Sequence, residues 1–270
     1  MRIRSRLKHL AYGARPFYRG TFPYFAHAVY FPLGSHLFMR VCQDGIYEKD
    51  TVKLVSSLIK PDTTYLDVGA NIGLLSIPVL VERPEARVIS IEASPDTLRH
   101  LERTHAASRH RERWMIVGCA IGKARGSATF YASRPENGAF DGLKDTGRGG
   151  GKQTVTVEVR PLDEIWQEAG SPKVSVVKID VEGAETDVIA GAPALIARER
   201  PVLVIEWSKL NLPAYGVEPA QLFNLCHEIG YRAYAYPSLC EVANVPILHA
   251  AMAQTDTFVL VPKTGVATGV

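Results

Sequence analysis

The sequence predicts an α/β protein built on a mostly parallel sheet with helices on both faces. Three observations carry this. From residue 48 onward, apolar runs of strand length alternate with stretches at helical spacing. Four of those runs end on an acid: Asp67, Glu92, Asp180 and Glu206. A glycine turn, Gly69-Ala70-Asn71-Ile72-Gly73, joins the first run directly to a helix. Parallel neighbours need long crossovers, and crossover helices cover both faces of the sheet they connect.

The elements follow in order. Glu48 to Ile59 reads as a helix with Val52, Val55 and Leu58-Ile59 on one side, broken by Pro61-Asp62. Thr64 to Val68 is a strand. Leu74 to Val81 is a helix that tolerates Pro78 in its first turn. Arg87 to Ile91 is the second strand. Pro95 to Ala106 is a helix with Ser94 as its expected cap and Asp96 near the positive end of its dipole. Trp114 to Cys119 is the third strand. The segments "GSATFYAS" and "QTVTVEVRPL" alternate at period two. Between them, "RPENGAFDGLKDTGRGGGKQ" is too rich in glycine and charge for a core, so a mobile loop is expected. "LDEIWQEAG" is a short helix closed by Gly170. Val174 to Ile179 is a strand, Glu185 to Arg198 one helix, and Pro201 to Ile205 a strand reaching Glu206. Gln221 to Ile229 is a helix ended by Gly230. Tyr231 to Tyr236 and Thr257 to Val261 are the last strands, close enough together for an antiparallel edge.

Composition sets the outer limits. The 270 residues can bury one large core. Four cysteines without metal-ligand spacing suggest buried thiols in a reducing compartment, hence a cytoplasmic protein. No apolar run reaches the length of a membrane span, and the N-terminus lacks the apolar core of a secretory signal. Charge is asymmetric. Residues 1–43 carry seven basic residues, no acid and nine of the 23 aromatics, whereas the remainder has 24 basic against 28 acidic residues. The expected division is therefore a basic, aromatic-rich arm over 1–43 and a domain over 44–270. The arm either packs its aromatics on the domain or touches a bulky acceptor or an anionic membrane at its inner face.

Ligands of open α/β sheets bind beyond the carboxyl ends of the strands, where the four acids sit. A glycine turn admits a ligand close to the backbone, and a helix start offers N–H donors. A carboxylate at the turn disfavours a phosphate there and suits an amino group. Glu92, at the next strand end, is placed to accept from ribose hydroxyls. S-adenosylmethionine has all these parts. On this reading Asp67, Gly69, Asn71 and Gly73 hold the methionine end and Glu92 the ribose. By topology Ala93 and Ser94 flank the adenosine, and Ala120 and Ile121 lie near the adenine. Asp180 borders both cofactor and acceptor.

The stretches "YLDVGANIGLLSI", "VISIEASPDTLRHL", "VGCAIGKARGSATFY" and "VSVVKIDVEGAETDVIAGA" resemble the FkbM-type S-adenosylmethionine-dependent methyltransferases, as do "DGIYEKD" and "VRPLDEI". The likeness runs over roughly residues 44–210. It implies the Rossmann-like class I methyltransferase fold, with a mostly parallel seven-stranded sheet, and O-methylation of a hydroxyl on a sugar, glycolipid or related natural product. Removing the hydroxyl proton needs a base or a metal. Two roles stand open for Asp180: general base, or ligand with Glu206 for Mg²⁺. Glu182 and Glu185, at the start of the next helix, fit a structural role better. His249 and His36 are candidate bases in segments able to fold over the acceptor, while His227 reads as a surface or packing histidine. Lys178 shares a face with Asp180 and is positioned to pair with an acid.

Two other classes compete. A nicotinamide-dependent oxidoreductase would use the same fold, but Gly69-x-x-x-Gly73 is not its G-x-G-x-x-G fingerprint. A non-catalytic membrane-associated binding protein would use the arm. No feature suggests nucleic-acid binding.

Overall fold

The computed structural model describes residues 20–263, together with Leu7. A hairpin of β1 (Thr21–Tyr24) and β2 (His27–Tyr30) leads to helices α1 (His36–Asp44) and α2 (Lys49–Leu58). The chain continues through β3 (Thr64–Val68), α3 (Ser76–Glu82), β4 (Arg87–Ile91), α4 (Pro95–Ala106) and β5 (Trp114–Val117). Next come β6 (Ala120–Ile121), β7 (Gly126–Ala132), β8 (Gln153–Arg160) and α5 (Leu162–Glu168). The second half holds β9 (Val174–Ile179), α6 (Glu185–Ala190), α7 (Pro193–Glu199), β10 (Val202–Glu206), α8 (Gln221–Ile229), β11 (Tyr231–Ala235), β12 (Cys240–Glu241), α9 (Val245–Met252) and β13 (Thr257–Pro262).

The main sheet has the order β12-β11-β13-β10-β9-β3-β4-β5. The strands from β10 to β5 are parallel, and β13, β11 and β12 pair antiparallel at one edge. The expected seven strands are present, and β12 adds a two-residue eighth. Two apolar layers cover the two faces. Tyr65, Val88, Val176, Val204 and Val259 pack against α1, α2 and α3. Leu66, Ile89, Val177, Leu203 and Leu260 face the opposite layer, which includes α5, α8 and α9. These sets alternate at period two, as a sheet buried on both sides requires.

The same alternation positions the rim. Asp67 lies beside Lys178 in the β3–β9 register, and Lys178 beside Val204 in β9–β10. Asp67, Lys178, Asp180 and Glu206 therefore project from the face covered by α1 to α3.

Several expectations are corrected. Glu185 to Arg198 is two helices, because Gly191 and Pro193 break it; a Cβ at Gly191 would stand 2.3 Å from the Gly122 carbonyl oxygen. The third strand stops at Val117, and Ala120–Ile121 crosses into a separate sheet of order β6-β8-β7. Ser94 does not cap α4 with its side chain; its hydroxyl donates to Asp141 Oδ2 at 2.9 Å.

The expected mobile loop is docked. Gly142 exchanges two backbone hydrogen bonds with Tyr131, at 2.8 and 3.2 Å. Asp141 accepts from the Ser133 N–H at 2.6 Å, and Lys152 Nζ donates to the Phe140 carbonyl at 2.7 Å. Residues 20–43 share the core beneath α1 to α3, with Tyr24, Phe31 and Phe38 buried there. Arg2, Arg4, Arg6, Lys8, Arg15 and Arg19 lie outside the described residues, and the arm's expected membrane contact lies there with them. Among the described residues no helix is long and apolar enough to cross a membrane.

Candidate active site

A cleft of about 890 Å³ opens at the carboxyl ends of β3, β4 and β9. Asp67, Gly69, Asn71, Glu92, Ala93, Ala120, Ile121 and Asp180 all line it. Most of the residues assigned to the cofactor thus meet in one space. Its roof comes from the small sheet, through Phe130, and from the docked loop, through Gly138, Asp141 and Leu143.

Buried hydrogen bonds orient the carboxylates. Ser76 Oγ donates to Asp67 Oδ2 at 2.6 Å and lies 2.7 Å from Ser90 Oγ, which accepts from Trp114 Nε1 at 2.8 Å. Burial raises the Asp67 pKa against the opposing charge of Lys178. Glu92 accepts the Asn71 N–H at 2.8 Å through Oε2 and the Ser94 N–H at 2.7 Å through Oε1. Each of its oxygens keeps a lone-pair site for a ligand hydroxyl. Burial pushes Glu92 up to about 7, beyond what its backbone donors offset.

The glycine turn works differently from the expectation. The N–H groups of Gly69 and Ala70 both donate to the Ile91 carbonyl, that of Asn71 to Glu92, and that of Gly73 to Ala70. These donors hold the turn and are not free for a ligand carboxylate. Gly69, at φ +82°, is required because a Cβ would sit 1.8 Å from the Asp180 carbonyl oxygen. Gly73, at φ +87°, faces Trp114 and Leu101 and does not line the cleft. It is a packing glycine. Ser94 also lies outside the lining, behind Glu92.

A carboxylate cluster spans the far wall of the cleft and the groove beside it. Oxygens of Asp180, Glu182 and Glu206 all lie within 4.8 Å of one another. Lys178 Nζ donates to Asp180 Oδ2 at 2.6 Å, so the pairing expected for Lys178 is present. Burial opposes the charge on Asp180, yet Lys178 and a hydrogen bond from Glu206 hold it below the usual carboxylate range. Glu206 moves the other way, well above its ordinary value, through burial and the charge of Asp180. One proton on Glu206, directed at ionised Asp180, accounts for both directions. Glu182 is pushed up to about 8 by burial and by Asp180, although Arg148 Nη1 donates to its Oε2 at 2.9 Å. Glu185 Oε1 accepts the N–H of Gly183 at 3.1 Å, which places it in the turn that presents Glu182.

Glu206 lines an adjoining groove and not the cofactor cleft itself. His249 is a correction: α9 buries Leu248 and Met252 against the core, which turns His249 outward, and it lines neither space. His36 and His227 are exposed too. Tyr47, Glu48, Asp141 and Arg148 were not singled out by the sequence. Tyr47 lines the cleft and Glu48 the groove. Their signal was present in "DGIYEKD"; Asp141 and Arg148 sit in a loop with no readable pattern.

A glycine turn after the first strand, a buried acid at the tip of the second, and acids on the neighbouring strands match the arrangement expected of an S-adenosylmethionine-dependent methyltransferase. The profile of the Methyltransferase FkbM domain matches residues 67–233, and the chain belongs to that family. Among curated relatives, the 2-O-methyltransferase NoeI of Sinorhizobium fredii is 31% identical over 169 residues, covering 55% of this chain and 65% of that protein. The 31-O-demethyl-FK506 methyltransferase FkbM of Streptomyces tacrolimicus is 27% identical over 186 residues, covering 57% and 67%. The hexuronic acid methyltransferase AglP of Haloferax volcanii is 28% identical over 144 residues, covering 53% and 56%. The chain thus spans about two thirds or less of the length of these relatives.

Proposed function

We propose that this chain transfers the methyl group of S-adenosylmethionine to a hydroxyl of a sugar, glycolipid or related natural product. The observation that supports it most is the convergence of Asp67, Glu92 and Asp180 on one cleft. The donor set fits the cofactor: a buried carboxylate for its amino group, and Glu92 with lone pairs left for ribose hydroxyls. The relatives' names, a 2-O-methyltransferase, a hexuronic acid methyltransferase and a 31-O-demethyl-FK506 methyltransferase, support an oxygen-bearing sugar or natural-product acceptor. The cofactor supplies an electrophilic methyl on a sulfonium.

The residues of the chain do the rest. Catalysis here is alignment plus removal of one proton. Asp180 is the base in this reading. It is ionised, and Lys178 and Glu206 fix its orientation. With S-adenosylmethionine held between Asp67 and Glu92, Asp180 would take the proton of the acceptor hydroxyl. The loop residue Arg148 holds Glu182 in place, its Nη1 donating to Glu182 and Asn211 at 2.9 Å each.

A second reading rests on the carboxylate cluster. Asp180, Glu182 and Glu206 form an all-oxygen set that fits Mg²⁺, and that ion would lower the pKa of a coordinated hydroxyl. Binding of S-adenosylhomocysteine, followed by transfer of a labelled methyl group to glycans of a cell extract, tests the proposal. Failure to bind S-adenosylhomocysteine would overturn it. Activity abolished by chelation and restored by Mg²⁺ would favour the second reading.

A further inference from the structure

A second groove, of about 760 Å³, opens beside the cofactor cleft and shares Lys178 and Asp180 with it. It runs from Glu48 and Thr51, at the start of α2, across Glu206 to the segment 254–257 before β13. Through Glu48, Thr51 and Thr255 it continues into a shallower depression walled by Tyr236 and Pro237. A guest in this groove would lie with one end against Asp180, where the methyl group is expected to arrive.

The walls are one-sided in charge. The carboxylates of Glu48, Asp180 and Asp256 face the groove, beside a Glu206 that carries a proton, against a single ammonium, Lys178. Lys178 is buried and already paired with Asp180 at 2.6 Å, so it has little positive potential left for a guest. Farther out, Arg40 lies 3.5 Å from Asp44, and Lys49 stands next to Asp50 in sequence. A hydroxylated guest meets carboxylate acceptors, an ammonium meets counter-charges, and a carboxylate meets only repulsion at close range.

We propose that this groove is the acceptor site and that it selects a neutral or amino-bearing polyol against a uronic acid. The orientation of the acceptor rests on the methyltransferase reading; the charge preference does not.

The test uses three oligosaccharide probes of equal length on the full chain, with and without S-adenosylhomocysteine: a β-1,4-glucosamine tetramer, cellotetraose and a galacturonate tetramer. At low ionic strength the galacturonate should bind at least tenfold more weakly than cellotetraose, with the glucosamine tetramer the tightest. Added salt should weaken the glucosamine tetramer and strengthen the galacturonate, because screening acts with opposite sign on the two. The double variant E48Q/D256N should close the gap between galacturonate and cellotetraose to under threefold, with S-adenosylhomocysteine affinity held within twofold. The salt series on the unaltered protein carries the test if the double variant does not fold. Equal binding of galacturonate and cellotetraose, an unchanged gap in a folded variant, or binding of none of the probes would overturn the inference. Absent S-adenosylhomocysteine binding with the sugar preference intact would instead overturn the cofactor reading alone.

Discussion

Glu92→Gln separates the proposed cofactor role of Glu92 from its structural one. In the unliganded protein this carboxyl is moved from 4.5 to about 7 by burial. At ~1.36 kcal/mol per unit, the shift corresponds to about 3 kcal/mol. The folded value lies above the unfolded one, so the folded state holds the extra proton between them. The stability this contributes is complete below about pH 4.5 and is lost as pH rises through 7. Ribose hydroxyls donate to the ionised form, so binding of S-adenosylhomocysteine should expel that proton. Affinity should rise about tenfold from pH 6 to pH 8. Glutamine keeps one acceptor oxygen but turns its amide N–H₂ toward the N–H of Asn71 or Ser94, which now meet Oε2 and Oε1. The variant should lose about 2 kcal/mol of binding, or about thirtyfold, and its remaining affinity should be flat in pH. Calorimetry at pH 6, 7 and 8, in two buffers of different ionisation enthalpy, reads affinity and proton release together. Melting the two proteins side by side from pH 5 to 8 should show the wild type losing ground to the variant. Affinity within threefold of wild type, or binding without proton release, would refute the reasoning.

Gly69→Ala forces a Cβ to 1.8 Å from the Asp180 carbonyl at a φ of +82°, so its melting temperature should fall with a loss above ~2 kcal/mol; an unchanged melt would mean that β3 and β9 do not close in this way. Lys178→Met leaves a part-buried Asp180 without its ammonium, and should destabilise by about 2 kcal/mol at neutral pH, with the loss shrinking in acid as Asp180 protonates; a pH-independent loss in chemical denaturation would contradict the ion-pair account. Arg148→Ala removes a largely buried contact, so stability should fall by about 1–2 kcal/mol. Hydrogen exchange should accelerate across residues 134–153, and unaltered exchange would show that Arg148 does not dock the loop. Asp180→Asn should retain S-adenosylhomocysteine binding while methyl transfer falls about 10²–10⁴-fold, and transfer at the wild-type rate would remove Asp180 as the base.

The strand tips were legible because their signal is local. In "TYLDV", "RVISI" and "VSVVKI", an apolar run and its terminal acid lie within a few residues, and period two assigns faces without knowledge of partners. All three runs are strands at the expected bounds. The helix 95–106 was legible for the same reason, since Pro95 and the spacing of Leu98 and Leu101 are local cues. The loop 134–153 was not. Its composition excludes a core of its own, but a few long-range polar contacts seat it: Asp141 on Ser94, Arg148 on Glu182 and Asn211, and Arg148 over the Phe140 ring at 4.5 Å. Such contacts leave no periodicity. The protonation of the rim was equally hidden. Asp180 and Glu206 are both acids after apolar strands, yet neighbours across the sheet move their pKa values in opposite directions.

Gly69 shows why packing and function are hard to separate at this site. A glycine turn after a first strand reads equally as a ligand cradle or as a tight strand–helix corner. Its Cβ direction points at the backbone of Asp180, so the position serves packing in the narrow sense. The consequence is functional. The Asp180 N–H donates to the Val68 carbonyl at 3.0 Å, so the tips of β3 and β9 stay in register one residue beyond their last strand pair, Val68 beside Ile179. Because the corner closes that far, Asp67 and Asp180 open into the same cleft, with Lys178 between them in charge and in space. A side chain at residue 69 would push the two tips apart before touching any ligand. The glycine therefore acts through the backbone, by setting the distance between Asp67, proposed to hold the cofactor, and the proposed base Asp180.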